Sequence, residues 1–176
     1  ATWHAYRNQG LLAPGKRGRI SADNLDAVRQ RADKMFDADL LTALALDKQW
    51  AAAREDRPVV YKILQKVDLK QVDVSFDIVI LVKFENDHLQ LHGVDVLRSG
   101  LPNYKQLLIK RPFVDHLWLA LPGDFKASLA DRIPRTVGKL MLDGTKLVAV
   151  KAELGDTEHQ PTESNLLLTA RCLLEK

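Results

Sequence analysis

Apolar positions change their spacing along the chain, and the changes divide it into elements. Leu25, Val28, Ala32, Met35 and Phe36 recur at helical spacing, followed by Leu40, Leu41, Leu44, Ala45 and, less regularly, Trp50. Such spacing lines up one face of a helix. Ser21 offers an N-cap, and Asp23 supplies negative charge to the first turn. The pattern predicts helix over most of residues 22–54, with a break expected near Asp37–Asp39 and an end at Arg57-Pro58. Beyond Pro58 the period shortens. Val59, Val60, Tyr61, Ile63 and Leu64 predict a short strand. Val72, Val74, Phe76, Ile78, Ile80 and Val82 then alternate strictly, a clear strand signal.

Glu85-Asn86-Asp87 is turn chemistry, and His88 to Arg98 carries Leu89, Leu91, Val94, Val96 and Leu97. The two runs predict a β-hairpin over roughly residues 72–98. Gly100 and Pro102 open a short helix through about Lys110, because proline loses no intrahelical donor in the first turn. Asp115–Leu121 predicts a buried strand that includes Trp118. Strand, helix and strand with short joints make a βαβ unit, for which a right-handed crossover is the rule. A second hairpin, residues 137–142 and 146–152, turns at Asp143-Gly144, and Asn165–Leu174 predicts a closing helix. The expected class is α/β: a mixed central sheet in αβββαβ order, with an added C-terminal hairpin and flanking helices.

The hairpin register follows from its loop. With a three-residue loop at Glu85–Asp87, Phe84 pairs with His88, Leu81 faces Leu91, Val79 faces Gly93 and Ile78 faces Val94. Apolar residues then meet apolar residues along most of the ladder, and Asp77 faces Asp95. Directly opposed like charges are destabilising. Such a pair calls for a divalent cation, a shared proton or solvent. A two-residue loop would instead send the two aspartates to opposite faces.

Composition narrows the setting. The chain has 176 residues, 46% of them hydrophobic and 28% charged, which suits one domain with a sizeable core over residues 21–176. No apolar run approaches the roughly 18 residues needed to span a bilayer, so no membrane is expected. No secretory signal is read, although a first residue other than Met leaves a removed leader open. The single cysteine, Cys172, excludes an internal disulfide and a thiolate zinc cluster, and fits a cytoplasmic, reducing setting. Net charge is only +3, but Arg7, Lys16, Arg17 and Arg19 all precede the first acid, Asp23. Residues 1–20 therefore read as a basic arm able to follow a phosphate backbone, or as a solvated loop.

The order of elements over residues 22–121 resembles that of the restriction-endonuclease-like superfamily, the PD-(D/E)xK nucleases. Asp77, within Phe76-Asp77-Ile78-Val79-Ile80, looks like the first motif acid. Asp95, within Gly93-Val94-Asp95-Val96-Leu97, looks like the second. The stretch from Val114 to Pro122, continued by Ile133-Pro134-Arg135-Thr136-Val137-Gly138, is similar in texture to small nucleases of this group. The resemblance implies that Asp77 and Asp95 hold Mg²⁺ or Mn²⁺ for phosphodiester cleavage in nucleic acid, with DNA named first. The chain departs from the pattern at Leu97, which stands where the motif has lysine. Two alternatives follow. A lysine from the next helix substitutes, Lys105 first and Lys110 second, or the site is inactive and the domain binds nucleic acid or a protein partner within a larger complex. Arg17, Arg19, Arg98, Lys110 and Arg111 are the expected phosphate contacts, with Arg98 placed on the face opposite the acids by strand alternation.

No other chemistry competes strongly. His88 and His92 lie some 13 Å apart on an extended strand, too far to share an ion. The serines lack a nucleophile elbow. No glycine-rich phosphate loop is present.

Overall fold

The structure is a computed structural model that describes residues 22–46, 59–84, 87–98, 100–123, 125, 127–143, 146–150, 152–153 and 159–175. The basic arm, with Arg17 and Arg19, lies outside the described residues, as do Trp50 and the Asp143-Gly144 turn beyond Asp143. The chain divides into two compact units, Ala1–Asp39 and Leu40–Lys176. The described part of the first is helical; helix α1 spans Ala22–Leu46, its residues from Leu40 on counting with the second unit, without the break expected at Asp37–Asp39.

The second unit holds a six-stranded mixed sheet whose strands lie side by side in chain order. They are β1 (Val59–Leu69), β2 (Val74–Lys83), β3 (Leu89–Val96), β4 (His116–Leu121), β5 (Gly138–Asp143) and β6 (Lys146–Val150). β1–β2 and β2–β3 are antiparallel, β3–β4 and β4–β5 parallel, and β5–β6 antiparallel. The C-terminal hairpin thus extends the central sheet. Helix α2 (Tyr104–Lys110) and a 3₁₀ turn at Arg111–Phe113 carry the chain from β3 to β4. Short helix α3 (Ala127–Ala130) precedes β5, and α4 (Glu163–Leu174) packs against β1 and the 3₁₀ turn. Among the described residues, no helix is long and apolar enough to cross a membrane.

The hairpin register is that of the three-residue loop. Ile78 pairs with Val94, Val79 with Gly93, and Leu81 with Leu91. Phe84 N–H donates to His88 O at 2.9 Å, and Asp87 takes the left-handed conformation (φ +62°) that closes such a loop. Ile78, Val79 and Ile80 are all buried in succession, so both faces of the sheet are covered here. One face carries Val79, Leu91, Leu117 and Leu119 in a core that Leu107 of α2 and Leu173 of α4 complete.

β1 is longer than its apolar run predicts, and the extra length contains an irregularity. Leu64 and Val67, three residues apart, both pack with the same core, as do Phe76 and Val79 on β2. Strict alternation would put each pair on opposite faces. The interruption falls at Lys66, whose φ of +51° lies in the left-handed region that costs a non-glycine residue about 1–2 kcal/mol. Pairing resumes beyond it at Val67↔Phe76. The residue caught in the corresponding interruption of β2 is Asp77.

Candidate functional site

Asp77 and Asp95 lie just past the last paired positions of the β2–β3 ladder, Ile78↔Val94. The Asp77 side chain takes over where the backbone pairing stops: its Oδ2 accepts the Val96 N–H at 2.7 Å. Side chain thus replaces carbonyl, and the strands open into a cleft of about 230 Å³ lined by Lys66, Asp68, Ser75, Asp77, Asp95 and Lys110. Phe76 and Val67 form its apolar floor.

A glycine shapes that floor. A Cβ at Gly93 would stand 2.7 Å from the Phe76 ring and 3.1 Å from Val114 Cγ1. One edge of the ring therefore packs against bare backbone, with Lys110 Nζ 5.8 Å from the ring centre.

Each acid has a cation. Lys110 Nζ donates to Asp95 Oδ2 at 2.5 Å, and the two side chains are only 17% and 14% exposed. Arg98 Nη1 donates to Asp77 Oδ1 and Oδ2 at 3.1 and 3.2 Å, in a pair about one-third exposed. Burial pushes the Asp95 carboxyl above the usual carboxylate range; the Lys110 charge and hydrogen bond oppose it, and the Asp77 charge adds to it. Asp95 Oδ1 is buried and has no side-chain partner. The Asp77 backbone adds a small hydrogen-bonding contribution that helps hold the Asp95 carboxyl down.

The structure relocates several expected residues. Lys110, not Lys105, reaches Asp95; Lys105 is exposed on α2 and is not part of the cleft lining. Arg98 was assigned the face opposite the acids, but β3 ends at Val96, so alternation no longer governs it and it folds back onto Asp77. Arg111 is a correction. It is buried, 7% exposed, and donates to Val114 O at 2.9 Å, holding the 3₁₀ turn instead of facing a phosphate backbone. Leu97, at the motif lysine position, is a core residue whose N–H donates to Ala120 O.

The histidines group differently from the acids. His92 and His116 stack at 4.7 Å on paired positions of β3 and β4, and Trp118 Nε1 donates to His92 Nδ1 at 3.0 Å. Parallel stacked rings do not converge on an ion. Among the described residues, no group of three or more His, Cys, Asp or Glu side chains could hold a metal. Sequence reasoning missed Lys66, Asp68 and Ser75; the one available signal was the three-residue step from Leu64 to Val67.

Comparison with protein-family models, with curated proteins and with solved structures returned no match.

Proposed function

We propose that this chain is a nuclease-type protein that cuts phosphodiester bonds in nucleic acid, DNA in the first instance, with Asp77, Asp95 and Lys110 as its reactive groups. The contact between Lys110 and Asp95, inside a cleft that Asp77 also lines, carries the reading. In this reading Lys110 takes over the part of the missing motif lysine, since its ammonium contacts Asp95. The αβββαβ order of elements supports the same resemblance.

The donor set suits a hard cation. Asp95 Oδ1 is a buried carboxylate oxygen with no side-chain partner, and Asp77 supplies a second carboxylate in the same cleft. Two carboxylates with retained waters match Mg²⁺ or Mn²⁺. Such a cation lowers the pKa of a coordinated water and offsets charge on the phosphate. Lys110, fixed by Asp95, would offer an ammonium to the negative charge that builds on a phosphate bound in the cleft. The Val96 N–H and Arg98 set the orientation of the Asp77 carboxylate.

One observation favours a second reading. Arg98 covers both oxygens of Asp77 and so competes with a cation for them. In that reading the domain binds nucleic acid or a protein partner within a larger complex and does not cut.

Labelled DNA and RNA incubated with the protein and Mg²⁺ or Mn²⁺ decide between them. Cleavage is expected, and Asp77→Asn, Asp95→Asn and Lys110→Met each lower it by about 10²–10³-fold. Folded wild-type protein that binds in a salt-dependent way but cuts neither substrate with either metal removes the catalytic reading and leaves the second.

A further inference from the structure

Lys66 occupies a position that backbone chemistry would assign to glycine or asparagine. Its φ is +51°, its side chain is exposed, and it lines the same cleft as Asp77, Asp95 and Lys110. Conformational strain in a non-glycine residue at the rim of a charged cleft persists where the surroundings hold it, and it often marks a side chain in use. The sheet order sets Lys66 apart from the other ammonium group. Lys66 belongs to β1, Asp77 to β2 and Asp95 to β3, while Lys110 comes from α2 and meets Asp95. Positive charge thus enters the cleft of the two acids from two separate elements, β1 and α2.

We infer that Lys66 binds a phosphate of the substrate strand next to the one held at Asp77 and Asp95, so that the site takes a polynucleotide running across β3, β2 and β1 and not a mononucleotide ester. The inference rests on the nucleic-acid reading of the cleft but not on cleavage. Lys66 is a binding residue on the cleft lining, held there in a left-handed backbone conformation. Lysine suits this task as a point charge that grips a backbone oxygen without reading sequence.

The test replaces Lys66 by Gly and by Asn, both of which accept the left-handed backbone while removing the charge, and by Arg, which keeps the charge. Binding of a fluorescein-labelled DNA duplex is followed by anisotropy over a salt series in chelator. Lys66→Gly and Lys66→Asn are expected to weaken binding several-fold and to reduce the slope of log K against log salt by about 0.9, the release of one counterion. Lys66→Arg keeps most of both, and circular dichroism checks that the Gly and Asn variants are folded. In cleavage assays KM rises while kcat holds.

Equal affinity and equal salt slope in Lys66→Gly and wild type overturn the inference, even if the wild type cuts DNA. Wild-type protein that binds no duplex overturns it as well. Wild-type protein that binds without cutting, and whose binding weakens in Lys66→Gly, upholds it while removing catalysis.

Discussion

Lys110 Nζ and Asp95 Oδ2 meet at 2.5 Å across the join between α2 and β3, with both side chains largely shielded from water. A charge pair so placed is costly to break from one side. Replacing Lys110 by Met strands the Asp95 carboxylate in its cleft and should lower stability by about 2–3 kcal/mol. Adding Asp95→Asn to that variant removes the stranded charge and recovers much of the loss. Urea denaturation of the four proteins of this double-mutant cycle measures the coupling.

The raised Asp95 pKa has a definite sign in the pH dependence of stability. Between the ordinary carboxylate value and the raised one, the folded state holds more protons than the unfolded state. Stability from this group therefore falls as pH rises through that window and is regained on acidification. In chelator, the stability difference between wild type and Asp95→Asn should shift toward the wild type as pH is lowered through the acid range. Melting temperatures recorded in parallel check this. A difference that stays constant with pH would mean that Asp95 titrates as it does in the unfolded chain.

Arg98 and Asp77 form a pair that is about one-third exposed, and such pairs contribute about 0–1 kcal/mol. Arg98→Ala should leave stability within that range. It should also release Asp77 Oδ1 to a cation while Oδ2 keeps the Val96 N–H, so Mn²⁺ binding by calorimetry should tighten. Unchanged Mn²⁺ affinity with unchanged stability would show that Asp77 takes no part in holding metal.

Gly93→Ala should perturb the cleft from beneath. The new methyl would overlap the Phe76 ring, and because Val114 closes the other side the ring must move. Overpacking of this kind costs about 1–3 kcal/mol. A smaller ring site, Phe76→Leu, in the same chain should restore part of the loss, which thermal melts of the single and double variants can establish.

The strand alternation from Val74 to Val82 was enough to place β2, and the loop-length arithmetic was enough to pair Val79 with Gly93. The choice between the two lysines needed more. Successive helical residues turn by about 100°, so Lys110 lies about 60° from Leu107 and Lys105 about 160° from it. Once Leu107 is known to be the buried residue of α2, Lys110 must be the one near the sheet. Nothing in the periodicity of so short a helix singles out Leu107 from Leu108. Strand alternation cannot place Arg98, because the strand stops at Val96. The far half of β1 was hidden by Gln65-Lys66, where the left-handed turn of the backbone breaks the period that reveals a strand.

The contact between Lys62 Nζ and the Leu173 carbonyl joins residues 111 positions apart, tying β1 to the end of α4 at 2.8 Å. Closing so long a loop costs only about 0.6 kcal/mol more per doubling of its length, but folds dominated by such distant pairings form slowly. Until α4 arrives, the face of β1 that carries Val67 and Leu69 has no cover from that helix. During synthesis, an apolar edge strand is thus exposed for the time taken to make more than a hundred further residues. The charged residues that interrupt β1, Lys66 and Asp68, then act as gatekeepers that discourage it from pairing with a second nascent chain.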